Sequence, residues 1–140
     1  MNVETPARDM RGPLATAGER RILVVDEDHG FAARLSRGLE QRGYAPVLVA
    51  SFSEAQKEIS SASPAMAVID LRLSGGNGLD LVEELHRRRK DSAIVVLTAY
   101  GNIATAVAAV KLGAIDYLCK PSSTDEVISA LTQRLSLIHI

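Results

Sequence analysis

Five short apolar runs, Ile22–Val25, Pro46–Ala50, Met66–Ile69, Ile94–Leu97 and Tyr117–Cys119, are separated by segments whose apolar residues recur at helical spacing. Short runs rich in β-branched residues that alternate with helices read as buried strands of a parallel sheet. Sheets of this kind gather their chemistry at the carboxyl ends of their strands. Asp26, Asp70, Thr98 and Lys120 each follow such a run directly, so the pattern predicts that the four meet at one edge.

The intervening segments carry recognisable helix signals. Asp28 is placed to cap a first helix with Phe31, Leu35 and Leu39 on one face, and Gly43 to end it. Ser51 with Glu54 and Ser123 with Glu126 have capping-box spacing, for a second and a fifth helix. Leu79, Val82 and Leu85 mark the third helix; Ile103, Val107 and Val110 mark the fourth, which Gly113 closes. Val127, Leu131 and Leu135 mark the last. The loop from Leu71 to Gly78 is rich in glycine, and its glycines and Asn77 are suited to positive-φ turns, with Asn77 a turn former rather than a ligand. The predicted architecture is α/β: a doubly wound, flavodoxin-like (βα)5 domain with strand order 2-1-3-4-5 and helices on both faces.

A chain of 140 residues with 46% hydrophobic content suits one such domain. Residues 1–20, with Pro6, Gly12, Pro13 and Gly18, are expected to form a flexible tail ahead of a domain over 21–135. A net charge of −1 and a pI near 6.3 give no basic face for nucleic acid or an anionic membrane. His86-Arg-Arg-Arg-Lys90 is read as a solvated helix end. No apolar run approaches a membrane span and no signal-peptide core opens the chain, which predicts a cytoplasmic protein with no membrane partner. Cys119, the single cysteine, excludes an internal disulfide and is expected to be an inert core thiol. His29, His86 and His139 lack metal-ligand spacing and are expected at the surface.

Bringing Asp26, Glu27 and Asp70 together would concentrate three carboxylates, which resist joint ionisation unless a cation compensates. A hard divalent ion, Mg²⁺, suits a small acidic cluster because it uses one or two carboxylates and keeps its waters. Lys120 supplies a second positive charge, and Thr98 a hydroxyl able to donate to a phosphoryl oxygen. A metal, an ammonium and a hydroxyl around one carboxylate are what a transferring phosphoryl group requires, with Asp70 as nucleophile. Singly these residues have plainer readings: Asp28 as a helix cap, Thr98 as a strand-end threonine, Lys120-Pro121 as a turn. Their combination carries the signal.

Val24-Val-Asp-Glu-Asp28, Val68-Ile-Asp-Leu71, Leu97-Thr-Ala-Tyr-Gly101 and Asp116-Tyr-Leu-Cys-Lys-Pro121 resemble the signatures of two-component response-regulator receiver domains, over about Arg21 to Leu135. The stretch from Tyr100 to Ala114 is similar to the redox-responsive global regulators of the RegA, PrrA and ActR type. The resemblance implies that Asp70 accepts a phosphoryl group from a sensor histidine kinase. It also implies that Asp26, Glu27, Asp70 and the backbone carbonyl of Arg72 serve Mg²⁺, Asp26 largely through water. Lys120 would contact the phosphoryl group, while Thr98 and Tyr117 move in response. Glu27 stands where many members have a second Asp. The Arg72 side chain is expected to project into solvent, and Tyr100 to lie beside the switch threonine.

The implied protein is a phosphorylation switch controlling transcription rather than an enzyme, beyond Mg²⁺-dependent self-phosphorylation and autodephosphorylation. The surface of helix four, strand five and helix five would change on phosphorylation and support a homodimer. DNA would be reached through a C-terminal helix-turn-helix domain that these residues lack. Leu135-Ser-Leu-Ile-His-Ile140 matches the translation of a sequencing-library adapter, so residues 136–140 are expected to be an artefactual or disordered tail. Two rival readings stand beside this one. The first is a receiver-like scaffold that dimerises without phosphate. The second is a haloacid-dehalogenase-like phosphatase using Asp26 as nucleophile, a class that wants a further acidic pair after the lysine motif, where Asp125-Glu126 are expected at a helix start and not at a strand end.

Overall fold

The computed structural model describes residues 20–139, with the side chains of residues up to 133; of the tails expected at 1–20 and 136–140, residues 1–19 and Ile140 lie outside the described residues, whereas 136–139 continue the last helix. Five strands, β1 (Arg21–Val25), β2 (Ala45–Val49), β3 (Met66–Ile69), β4 (Ala93–Thr98) and β5 (Asp116–Cys119), pair in parallel in the order β2-β1-β3-β4-β5. Five helices alternate with them: α1 (His29–Gln41), α2 (Phe52–Ser61), α3 (Gly78–Arg88), α4 (Ile103–Leu112) and α5 (Thr124–His139). The predicted order and topology are those observed. A two-residue antiparallel ladder, Arg72–Leu73 with Gly76–Asn77, is inserted between β3 and α3.

Alternation along the central strands divides the core. Leu23, Val25, Ile69, Ile94 and Val96 point to the face covered by α2, α3 and α4, where they meet Ile59, Leu81, Leu85 and Ala109. Ile22, Val24, Val68, Val95 and Leu97 point to the other face and meet Leu35 and Leu39 of α1 and Val127 and Leu131 of α5. Because both faces of β1, β3 and β4 are buried, their sequences are continuous apolar runs rather than alternating ones.

The helix ends follow their sequence signals closely. Asp28 caps α1 by accepting from Phe31 N, and Gly43 (φ +90°) follows its end. Ser51 caps α2, although Glu54 reaches back to Ala50 N rather than to the cap's own amide. Ser123 and Glu126 form the reciprocal box, and Gly113 (φ +125°) caps α4. Asn77 corrects one expectation: its φ is −104°, and it caps α3 by accepting from Leu79 N. In the loop Leu71–Gly78 the positive-φ position is Gly75 alone.

Two burial expectations also change. Cys119 is exposed, because β5 is an edge strand and Cys119 is its last residue. His86 is half-buried, its ring against Gly113 and its Nδ1 buried without a hydrogen-bond partner. On α4, Ile103, Val107 and Val110 face outward while the small Ala109 packs inward. Among the described residues, no helix is long and apolar enough to cross a membrane.

Candidate functional site

Hydrogen bonds continue the sheet ladder one step past three strands and fix the residues that follow them. Asp26 N donates to Val49 O at 3.1 Å, Asp70 N to Val25 O at 3.0 Å, and Lys120 N to Thr98 O at 3.0 Å. The backbones of Asp26, Asp70 and Lys120 are therefore held as rigidly as the strands. Their side chains converge: Lys120 Nζ lies 2.7 Å from Asp26 Oδ2 and 2.9 Å from Asp70 Oδ2. The ammonium also lies over the ring of Phe31 of α1, 4.7 Å from its centroid. Asp26 and Asp70 are buried, 5% and 6% exposed, and border an open cleft of about 400 Å³.

The electrostatics follow from this placement. Burial pushes the Asp26 carboxyl above its ordinary range, against the pull of Lys120 and of the Asp28 N–H. Burial acts in the opposite sense on Lys120, but hydrogen bonds and charge from Asp26 and Asp70 outweigh it and raise the ammonium's pKa. Two carboxylates thus share one ammonium.

Glu27 is not gathered into the cluster. Its carboxylate accepts from Ser74 N, tying the end of β1 to the Arg72–Asn77 ladder, and this bonding lowers its pKa. Among the described residues no group of three or more His, Cys, Asp or Glu side chains is arranged to hold a metal. The two carboxylates in place nevertheless suit a hard ion that retains water: both are oxygen donors at the wall of a wide cleft. Arg72 departs from its expected direction. It is exposed, but its guanidinium lies over the Tyr100 ring, 4.2 Å from the centroid, and both residues border the cleft. Sequence reasoning missed this pairing, which joins two loops distant in the chain.

Thr98 is the last residue of β4, not the first after it, and is fully buried. Its Oγ1 accepts from Tyr100 N at 3.2 Å, leaving its own proton free to donate. Tyr117 lies beyond the cleft, half-buried, with its phenol 2.9 Å from Thr105 Oγ1. The phosphatase reading fails on geometry. Asp125 and Glu126 lie in the first turn of α5, Asp125 paired with Arg42 and Glu126 spent on the capping box.

Comparison with known proteins agrees with this arrangement. Residues 22–132 match the family model of the response regulator receiver domain. The acid tolerance regulatory protein ActR of Rhizobium meliloti is 47% identical over 133 residues, covering 95% of this chain and 66% of its own. The photosynthetic apparatus regulatory protein RegA of Cereibacter sphaeroides is 52% identical over 113 residues, covering 81% of this chain and 61% of its own. The chain therefore spans less than two thirds of the length of these relatives. Among solved structures, a Burkholderia pseudomallei response regulator with a phosphorylated aspartic acid, a calcium ion and citrate superposes with a TM-score of 0.78 at 39% identity, over 85% of this chain and 70% of that one.

Proposed function

The chain belongs to the response regulator receiver domain family, and from that premise we propose that Asp70 is its phosphoacceptor, charged by a sensor histidine kinase. The observation that carries the assignment is the Lys120 ammonium bridging Asp70 and Asp26 at the carboxyl edge of the sheet. Family members are signalling proteins rather than classical enzymes; the chemistry here is a single transfer followed by hydrolysis, in which water attacks phosphorus, inorganic phosphate is released and the Asp70 carboxylate is restored. A carboxylate oxygen of Asp70 forms a bond to phosphorus as the bond from phosphorus to the donor's imidazole nitrogen breaks, and the electron pair stays on that nitrogen. Lys120 lies where negative charge accumulates, and the spare proton of Thr98 is available to a phosphoryl oxygen.

Asp26, Asp70, the Arg72 carbonyl and a Glu27 released from Ser74 would hold Mg²⁺. When bound, Mg²⁺ would supply the positive charge that lets a dianionic phosphoryl group approach two carboxylates. The phosphorylated aspartic acid and calcium ion of the Burkholderia structure support this reading. It is tested by intact mass after incubation with Mg²⁺ and acetyl phosphate. The parent should gain one phosphoryl group, Asp70→Asn none, and EDTA should abolish the gain; uptake by Asp70→Asn at the parent's rate would overturn the assignment.

The outward apolar residues of α4 belong to the same proposal. Ile103 is 84% exposed and Val110 55% exposed, on the helix that packs against the edge strand β5. We assign this face to homodimer formation on phosphorylation, with transcription controlled through a DNA-binding helix-turn-helix region outside these residues. A beryllofluoride-activated NtrC4 receiver domain, 30% identical, is itself a dimer. Val107→Glu should leave phosphoryl uptake intact and keep the phosphorylated chain monomeric in sedimentation; an unchanged dimer would place the interface elsewhere.

A further inference from the structure

Tyr117 of β5 is seated against the amino end of α4 by two residues that the proposed chemistry leaves unused. Gly101 provides space: a Cβ there would lie 1.5 Å from the Tyr117 hydroxyl oxygen and 2.4 Å from Cζ. The phenol thus occupies the volume that any other residue at 101 would fill. Thr105 provides the polar partner, 2.9 Å from the phenol oxygen.

The Thr105 hydroxyl is already at the centre of the α4 cap. Its oxygen accepts from Asn102 N at 3.0 Å and lies 2.9 Å from Asn102 O, while Thr105 N donates to Asn102 Oδ1 at 2.9 Å. A hydroxyl has one proton and two lone pairs. Directing that proton to Asn102 O uses it up, and accepting from Asn102 N uses one lone pair. The remaining lone pair faces the phenol, so Tyr117 is the donor.

We propose that Thr105 is a positioning residue for Tyr117, and that the Tyr117 phenol in turn completes the capping box of α4, with Gly101 as the seat that permits the contact. The ring and the first turn of the helix are one unit: withdrawing the phenol removes a donor from the oxygen that holds Asn102 N. Ile103, the most exposed large apolar residue of the described chain, is the first residue of that helix. A displacement of Tyr117 is thereby transmitted to the apolar face of α4. The transmission to a phosphorylated state rests on the proposed function; the coupling itself exists in the unphosphorylated chain and is tested there.

The experiment is amide solvent exchange at Asn102 and Thr105, followed by NMR in the full chain without phosphoryl donor, for Tyr117→Phe, Thr105→Val, the double variant and Thr105→Ser. Loss of one neutral hydrogen bond corresponds to about a fivefold change in an opening equilibrium. Tyr117→Phe should accelerate Asn102 exchange by about that factor. Thr105→Val should accelerate it further, the double variant no more than Thr105→Val, and Thr105→Ser should stay near the parent. Gly101→Ala, which keeps both hydroxyls but fills the seat, should reproduce the Tyr117→Phe acceleration. Parent-like exchange in Tyr117→Phe, or effects that add in the double variant, would overturn the coupling. Phosphoryl uptake by intact mass is scored separately, so a chain that takes no phosphate yet shows the coupling contradicts the proposed function and not this inference.

Discussion

Gly78→Ala should lower unfolding stability by about 3 kcal/mol, read as a fall in the urea midpoint at unchanged slope. Gly78 opens α3 and donates its N–H to Leu71 O at 2.9 Å, which brings the helix amino end against the turn that carries Asp70. A Cβ at this position would lie 2.1 Å from Asp70 O and 2.9 Å from Leu71 Cα. Both obstacles are backbone, and the backbone on one side is locked to β1 through Asp70 N. No rotamer change relieves the clash; either α3 or the acceptor turn must shift. Gly75 is the internal control. Its φ of +90° disfavours alanine, but a Cβ there meets only Phe52 Cβ, at 3.8 Å, so Gly75→Ala should cost about 1 kcal/mol. Equal costs at the two positions would mean that backbone conformation, not the close approach to Asp70, sets the requirement at 78.

That contrast shows where sequence stops informing. Glycines in a loop after a buried strand announce a tight turn, but residue type does not say whether a glycine is needed for its φ or for the space beside it. Gly75 answers to the first requirement and Gly78 to the second, and the second depends on a neighbour fixed by tertiary packing. The strands and caps were legible because their causes are local. Asp28, Ser123 with Glu126, and Gly113 act within four residues of themselves. The convergence of Asp26, Asp70 and Lys120 was legible for a different reason: parallel strands of matched length must end at the same edge, so residues directly after them meet whatever the details of packing.

Longer side chains escaped the same logic. Glu27 follows Asp26 directly, yet its extra methylene and its place one residue further from the strand let it reach Ser74 N instead of the cluster. Arg72 and Tyr100 belong to different loops, and nothing in either loop signals that they stack. The helical spacing of Ile103, Val107 and Val110 located α4 correctly, but periodicity identifies a face without saying what the face meets. Here the inward contact is made by Ala109, and the larger side chains are left outside. Cys119 shows the parallel error in a strand: an apolar run was read as buried, whereas an edge strand covers its last residue with nothing.

Lys120→Met should be the most damaging substitution in the site, destabilising the fold by about 3 kcal/mol at neutral pH in EDTA. The ammonium holds two buried carboxylates and lies over Phe31, and methionine, unbranched and of similar length but uncharged, leaves Asp26 and Asp70 without compensation. The sign of the pH dependence follows from Asp26, whose pKa burial already raises in the parent against the pull of Lys120. Without that pull the folded-state pKa rises further above its unfolded value, so the native state binds more protons than the unfolded state and stability increases as pH falls. The gap between variant and parent should therefore narrow as pH falls through the raised folded-state pKa of Asp26 toward its unfolded value. Mg²⁺ should narrow it at neutral pH as well, because a divalent ion between the two carboxylates takes over the compensation and stabilises the variant more than the parent. The measurement is the urea midpoint of both chains across pH, with and without Mg²⁺. A gap indifferent to both would locate the cost in the packing of the lysine stem and remove charge compensation as the reason for Lys120.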